Sequence, residues 1–217
     1  MEPLTWGDPQ IHFWLRHTRK AQEPMLFFGA QAESVVTLLE EQMITGVANP
    51  EESRFRRVGM LGLMEGELIR HGDMAAQVAV LDTYYQCFMV GGKLVVVLAL
   101  PDMELMGKAA AFGGYTAPLE ELPSPHNAVR LYRWRTTRCD PVAQSLTHHD
   151  VYETTDGEGI SIRRWHIQTV EYYAFPNEVR LMLERVGYLI EAGYGGWNDE
   201  PLDINAKMQV WVARKGV

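Results

Sequence analysis

The sequence predicts an α/β protein built on an open, doubly wound and mostly parallel sheet. Short apolar runs that end in glycine or proline alternate with segments in which apolar residues recur every three or four positions. The strongest run, residues 93–100, is apolar on both faces, which is typical of a central strand in a parallel sheet. With 217 residues, the chain is also long enough for one such domain with a sizeable core.

The first third of the chain predicts the order helix, strand, helix, strand. Asp8 is a favourable N-cap and Pro9 suits a first helical turn, and the apolar residues that follow share one face. Residues 25–29 form a short apolar run that ends in glycine. A helical pattern from Glu33 then leads to a second apolar run at residues 43–47.

The next segment predicts two more helices and one more strand before the central strand. A helix is expected over residues 49–61, because an asparagine, a proline and two acids form a good helix start and apolar spacing continues from it. Residues 67–70 are interpreted as a third strand with its turn at 72–74. A helix over residues 78–88 is expected to end at Gly91, in the left-handed conformation that glycine adopts easily.

An antiparallel insertion is predicted at about 113–169, where the alternation of strands and helices stops. Strand-like stretches lie around residues 129–136 and 160–170, separated by turn clusters. These stretches carry several arginines, which we interpret as exposed positions that balance nearby acids rather than as an anion-binding stripe. The arginines are Arg130, Arg133, Arg135, Arg138, Arg163 and Arg164.

The end of the chain predicts a helix followed by an antiparallel pair of strands. Phe175 and Pro176 begin the helix, and Gly187 ends it. Residues 188–194 and 207–214 then form two strands joined by a turn-rich loop.

Composition and charge exclude several function classes. The formal net charge of −8 and the pI of about 5.4 disfavour binding to nucleic acid. No basic and apolar leader and no apolar run of about 18 residues is present, so we expect no membrane segment and a cytoplasmic protein. Cys87 and Cys139 have no metal-binding spacing, and His148 and His149, as neighbours on a strand, point to opposite faces. No metal site is therefore expected.

Three stretches of sequence carry a resemblance to a known family. "FPNEVRLMLERVGYLIEAGYGGWNDEPLDINAKMQVWVARK", at the C-terminus, resembles the end of small-molecule class I S-adenosylmethionine-dependent methyltransferases. "VGGKLVVVLALPD" is similar to a strand of that family, and "TTRCDPVAQSLTHHDVYETTDGEG" to its insertion over the active site. The resemblance implies a Rossmann-like methyltransferase fold over residues 1–217, with a C-terminal antiparallel edge pair and a β insertion.

The resemblance also identifies the residues that would bind the cofactor. The family has an acid on its first strand and three glycines in the following loop, whereas this chain has Phe27 at the acid and keeps only Gly29. Gln31 and Glu33 stand at the second and third glycines. At the end of the second strand, Ala48 replaces the acid that holds the ribose, although the neutral amide of the next residue is an alternative acceptor.

Two further residues and one strand complete this comparison. Asp73 matches the acid after the third strand that faces the adenine, and Met74 follows it. Between Met74 and Gly91 there is room for a helix only, so we expect the fourth strand of the family to be missing. The resemblance implies five substrate-pocket candidates, which are His12, Tyr115, Tyr172, Tyr194 and Trp197.

These departures favour a non-catalytic binding or scaffold protein with a degraded S-adenosylmethionine site. No cofactor is then expected, and the ligand is a small molecule or a partner. An active S-adenosylmethionine-dependent methyltransferase with an altered loop is the main alternative, and an enzyme that reuses the pocket without a cofactor is a third. The strand edges of the insertion predict a homodimer.

Overall fold

The computed structural model divides into two compact units. The first unit comprises Met1–Leu100 and Ala174–Val217, and the second comprises Pro101–Tyr173. The structure describes residues 4–50, 57–64, 66–123 and 129–216. Within these residues the chain runs, in order, through α1 (Pro9–Thr18), β1 (Met25–Phe28), α2 (Ala32–Glu40), β2 (Val47–Ala48), β3 (Val58–Leu63), a 3-10 helix (Leu68–His71), α3 (Met74–Cys87), β4 (Phe88–Ala99), α4 (Met103–Ala111), β5 (Tyr115–Thr116), β6 (Glu120–Leu122), β7 (Arg130–Asp140), β8 (Ser145–Thr155), β9 (Ser161–Tyr172), α5 (Pro176–Val186), β10 (Tyr188–Tyr194) and β11 (Met208–Lys215).

The first unit is built on a mixed sheet in the order β2-β1-β3-β4-β11-β10. β2, β1, β3 and β4 are parallel, while β11 runs antiparallel to β4 and β10 antiparallel to β11. The predicted doubly wound α/β class, with a C-terminal antiparallel edge pair, is confirmed. The C-terminal helix also begins and ends as expected, because Gly187 takes a left-handed φ of 105° after Val186.

The helix predicted over residues 49–61 is wrong over its described part. Residues 51–56 lie outside the described residues, and Val58–Leu63 is a strand in which every side chain is buried. In β3, Leu61 pairs with Leu26 of β1 and with Leu94 of β4. Burial on both faces removes the two-residue alternation that normally marks a strand, so a short apolar run can be mistaken for a helix.

The strand that we expected to be missing is therefore present. In doubly wound sheets of the order 3-2-1-4-5-6, the first strand lies between the second and the fourth strands. In this sheet β1 lies between β2 and β3, so β3 takes the place of the fourth strand. Within the described residues the sheet ends at β2. The third strand of that order is therefore the one that this sheet lacks among the described residues. Consistent with this, residues 68–71 form a 3-10 helix and not the predicted third strand.

The boundary between α3 and β4 also differs from the prediction. α3 ends at Cys87 and β4 begins at Phe88, so Gly91 and the glycine after it lie inside the strand and do not cap the helix. The pairing of β3 with β4 shifts between Val58 and Met60, which accommodates the extra residues of β4.

The main core of the first unit lies between the sheet and the helices α1 and α2. Trp14 of α1 packs edge-on against Phe27 of β1 with ring centroids 5.3 Å apart, and both side chains are fully buried. The same cluster includes Val35 and Leu39 of α2 and buried residues of β3, β4 and β11. α3 and α5 pack against each other, and the phenol of Tyr188 donates to the Leu81 carbonyl of α3 at 3.1 Å.

The second unit is an antiparallel sheet in the order β5-β7-β8-β9, with β6 paired to β7. The predicted antiparallel insertion thus has strands between Tyr115 and Tyr172, and α4 packs against β7. No helix in the described part of the chain combines the length and the apolar character needed to cross a membrane.

Candidate functional site

The strand order reverses between β1 and β3. From β1 the chain moves outward to β2 and then returns past β1 to β3. Open α/β sheets bind ligands outside the carboxyl ends of their strands at such a switch point. The residues directly after Phe28, Ala48 and Leu63 are therefore the first candidates for contact with a cofactor.

Hydrogen bonds join the segments that leave these strands. The Gly29 N–H donates to Asn49 Oδ1 at 3.0 Å, and the Asn49 N–H donates to the Phe27 carbonyl at 2.7 Å. The Met64 N–H donates to the Phe28 carbonyl at 2.9 Å. Asn49 has a φ of 42°, in the left-handed region that asparagine tolerates better than most residues. Both the side chain and the backbone of Asn49 are thus used to hold the segment at the end of β1.

Gly29 is required by the fold itself. Its φ is 114°, and a Cβ at this position would lie 2.7 Å from the Met64 carbonyl oxygen. The presence of glycine at this position of the family's loop is therefore no independent sign that a cofactor binds. Gln31 follows, with its Oε1 buried and without a hydrogen-bond partner among the described residues, and α2 begins at the fully buried Ala32.

Asp73 and Met74, which we expected near the adenine, lie at the start of α3. Asp73 is the N-cap of this helix, and its Oδ1 accepts from the Ala76 N–H at 3.0 Å. Asp73 follows the 3-10 helix and not a strand. Its predicted position, directly after a third strand, is therefore wrong. A contact between either residue and a cofactor stays a prediction. Met74 is 40% exposed and lines a groove between α3 and α5 with Val78 and Leu181.

A second groove lies between the end of β1 and the outer side of α3. It has a volume of about 520 Å³, and Phe28 and Tyr84 contribute aromatic walls with ring centroids 5.9 Å apart. Pro50 lines it on the β2 side, and Glu67 and His71 supply polar groups. We name it the β1–α3 groove; sequence patterns missed it because its lining comes from four separate segments.

Two of the predicted pocket aromatics pack against α1 in the first unit. The ring of Trp197 lies 5.4 Å from the ring of Phe13, and the ring of Tyr194 lies 6.4 Å from it. Arg16 ties the same loop to α1, because its guanidinium donates to the Trp197 carbonyl at 3.3 Å and to Asp199 at 3.0 Å. The arrangement makes Tyr194 and Trp197 part of the aromatic packing around α1.

The other pocket candidates are placed separately. His12 is exposed on α1. Tyr115 belongs to β5 in the second unit, with the Lys108 ammonium 5.3 Å from its ring centre. Tyr172 ends β9 and pairs with Ser145 of β8. A role for these residues in binding a substrate stays a prediction.

Three of the six arginines of the insertion pair with carboxylates, as the sequence predicted. Arg135 donates two hydrogen bonds to Asp150, at 2.8 and 2.7 Å, and this pairing lowers the pKa of Asp150. Arg133 pairs with a glutamate of β6, and Arg164 with one of β8 at 2.8 Å. These arginines are thus neutralised within the second unit.

His148 belongs to a buried polar cluster on one face of the second sheet. Its Nδ1 lies 2.9 Å from the Thr137 hydroxyl, and its Nε2 lies 3.4 Å from Glu171, whose pKa the contact with His148 lowers. His149 is exposed on the opposite face, as expected for neighbours on a strand. The described residues contain no group of three or more His, Cys, Asp or Glu side chains placed to hold a metal ion.

The doubly wound sheet, its antiparallel C-terminal pair and the β insertion together define the fold of class I S-adenosylmethionine-dependent methyltransferases. Neither a protein-family model nor a curated protein matches the sequence. Solved structures do match, with sequence identities so low that they establish the fold alone.

Three of these structures illustrate the likeness. The methyltransferase CcbJ from Streptomyces caelestis has a TM-score of 0.70 and 15% identity, covering 96% of this chain and 89% of that chain. An S-adenosylmethionine-dependent methyltransferase from Clostridium acetobutylicum has a TM-score of 0.64 and 8% identity, covering 96% and 92%. CalS10 from Micromonospora echinaspora, an amino pentose methyltransferase of calicheamicin biosynthesis with S-adenosylmethionine bound, has a TM-score of 0.62 and 13% identity, covering 97% and 92%.

Proposed function

We propose that this protein is a methyltransferase-fold binding protein that does not use S-adenosylmethionine. The observation that carries this proposal is the hydrogen bond of 3.0 Å from the Gly29 N–H to Asn49 Oδ1. The family resemblance assigns the ribose to an acid at the end of the second strand, where this chain has Ala48. The next side chain, Asn49, is neutral, and its Oδ1 already accepts one hydrogen bond from the end of β1, so only one of its two lone pairs is left for a ribose hydroxyl.

The energetic consequence is large enough to abolish useful cofactor binding. A hydrogen bond to a charged group contributes about 1.5–3 kcal/mol. The acid of the family accepts from both ribose hydroxyls, so two such bonds are lost here, and the affinity for the cofactor falls by roughly a hundredfold or more. Gln31, at the family's second glycine, has an ordinary φ of −100° and adds no backbone strain. The residues present thus fit the cofactor poorly, and we derive no methyl-transfer step.

The β1–α3 groove is the place where such a protein would bind a small molecule. Its volume of about 520 Å³ lies within the range of small-molecule sites, roughly 300–1,000 Å³. Phe28 and Tyr84 would pack against an apolar portion of the ligand, and Glu67 and His71 would fix a polar portion.

An active methyltransferase is the second candidate, and the presence of β3 favours it. The sequence had suggested that the strand between cofactor and substrate was lost, whereas β3 and the segment from Met64 are in place. CalS10 acts on an amino pentose, and KedS8 from Streptoalloteichus, with a TM-score of 0.63 and 15% identity, is a sugar N-methyltransferase. Under this candidate the acceptor would be the amino group of a sugar.

Calorimetric titration with S-adenosylmethionine separates the two candidates, once mass spectrometry has shown that none co-purifies. We expect no detectable binding at about 1 mM cofactor. The variant Ala48→Asp restores a carboxylate at the end of β2 and should gain at least about tenfold in affinity, whereas the matched Ala48→Asn should not. Micromolar binding by the unaltered protein would contradict the proposal and direct the search to amino-sugar acceptors.

A further inference from the structure

β9 is a long and exposed edge of the second sheet. It spans Ser161–Tyr172 and pairs on one side with β8, and the sheet order places it last. All of its residues are exposed except Trp165 and Tyr172, which are half-buried. Three aliphatic side chains are included, Ile162 at 59%, Ile167 at 42% and Val170 at 51% exposure.

β9 lacks three common protections of a free edge, which are proline, lysine and a very short length. It does carry the charged residues Arg163, Arg164 and Glu171, and its pairing with β8 shifts register at Ile162. β9 is 12 residues long, and "SIRRWHIQTVEY" has neither proline nor lysine. A strand of this length and composition is suited to pair with another strand.

We propose that β9 pairs antiparallel with β9 of a second copy, with Ile167 opposite Ile167 of the partner subunit. A two-fold axis perpendicular to the sheet relates two such strands, so the same face of each copy points to the same side. Residues directly opposite each other must lie on the same face of the sheet. Because side chains alternate between the faces, the two residue numbers are both odd or both even. Since the midpoint of β9 falls between His166 and Ile167, only registers centred on one of these two residues pair nearly the whole strand.

Charge complementarity selects the register centred on Ile167. In this register Arg163 lies opposite Glu171 of the partner subunit, and by symmetry the contact occurs twice. Arg163 makes no ion pair among the described residues, and its guanidinium lies 5.4 Å from the ring centre of Trp165. Glu171 is 54% exposed, although one of its carboxylate oxygens lies 3.4 Å from His148 Nε2. Centring on His166 would instead oppose two histidines and place Arg163 opposite threonine. Opposite charges across a strand pair stabilise it, so the register centred on Ile167 is favoured.

This register also brings one apolar pair together, because the two copies of Ile167 meet at the axis. Trp165 is already fixed by stacking on Tyr152 of β8, with ring centroids 5.5 Å apart, so little side-chain freedom is lost there on pairing.

Cysteine cross-linking tests the register, in protein whose Cys87 and Cys139 are changed to serine. Opposite Cα atoms in an antiparallel pair lie about 4.5–5.5 Å apart, within the range that a disulfide spans. Ile167→Cys should therefore oxidise to a covalent dimer. His166→Cys and Gln168→Cys should not do so alone but should cross-link when mixed, because these positions face each other. Self-cross-linking of His166→Cys without that of Ile167→Cys would overturn the proposal.

Sedimentation tests the association itself. The protein should sediment as a dimer, at about twice the 24.7 kDa of one chain. Arg163→Glu should weaken the dimer at least about tenfold, and adding Glu171→Arg should restore it, provided that thermal melting shows both variants folded. Ile204→Lys, at a position 98% exposed in the first unit, is the control and should have no effect. A monomer at about 100 µM, or a dimer insensitive to the charge reversal, would refute the proposed pairing.

Discussion

At the scale of single residues, Asn49 has the most informative environment. It combines a left-handed backbone conformation with an acceptor for the Gly29 N–H, so one residue sets the turn after β2 and holds the end of β1. A residue that the family resemblance presents as a weak replacement for an acid therefore has a structural role of its own.

Three substitutions at Asn49 separate its two contributions. Asn49→Gly keeps the left-handed turn but loses the hydrogen bond, which should lower the free energy of unfolding by about 0.5–1.5 kcal/mol. Asn49→Ala also strains the backbone and should cost about 1 kcal/mol more. Asn49→Asp retains an acceptor and should be nearly neutral. Urea denaturation measures the series, and equal stability of Asn49→Gly and the unaltered protein would contradict the role of the hydrogen bond.

His17 is the residue whose titration the structure changes most clearly within measurable pH. Burial, followed by the charges of Lys93 and Arg16, lowers its pKa from 6.5 to about 4. Its ring lies 4.4 Å from that of Phe13. Between these pKa values the unfolded chain binds more protons than the folded protein, so stability is lost as the pH falls from about 6.5 to 4.

The acid sensitivity of stability should therefore depend on His17. Allowing for solvent screening of a partly exposed ring, the contribution is about 1–2 kcal/mol between pH 7 and pH 4. His17→Gln should flatten the pH dependence of the free energy of unfolding by this amount, whereas His12→Gln, at an exposed position of the same helix, should not. Parallel curves for His17→Gln and the unaltered protein would show that the environment of His17 is not as described.

At the scale of elements, β3 shows how packing can override a local pattern. The spacing of Val58 and Leu61 resembles a helical face, yet the segment is a strand between β1 and β4. Gly62 explains part of this outcome, because a Cβ there would lie 2.9 Å from ring atoms of both Trp14 and Phe27. A strand with glycine at this point lets two aromatic rings pack directly on the sheet.

A methyl group at Gly62 should consequently destabilise the protein. Overpacking of a filled core costs about 1–3 kcal/mol, and we expect Gly62→Ala to lower the free energy of unfolding by this amount. Gly107→Ala is the matched control, since no atom lies within 4 Å of its added Cβ and it lies inside α4. That variant should be stabilised by about 0.5–1 kcal/mol. A neutral Gly62→Ala would mean that the rings have room to move.

At the scale of the whole molecule, fold and chemistry depend on different residues. The sheet needs buried apolar side chains, such as those of β3 and β4, and these are present throughout. Cofactor binding needs a few polar and glycine residues at the strand ends, and there the chain has Ala48 and Gln31. Apolar burial is spread over many residues and tolerates substitution, whereas a binding site depends on a few side chains.

Much of the architecture could be predicted from the sequence, because it depends on local patterns. The C-terminal helix and strand pair, the antiparallel insertion and the opposite orientation of His148 and His149 all follow from periodicity and turn residues. The pairing of three of the insertion's arginines with acids could also be predicted, since neighbouring strands bring opposite charges together.

Only the tertiary structure decided the identity of β3, the N-cap role of Asp73 and the bond between Gly29 and Asn49. A strand buried on both faces has no alternation to reveal it, and an acid before a helix has the same sequence signature as an acid after a strand. The Gly29–Asn49 bond joins residues 20 positions apart. It exists because β1 and β2 lie side by side, a proximity that the folded chain creates and that local sequence does not encode.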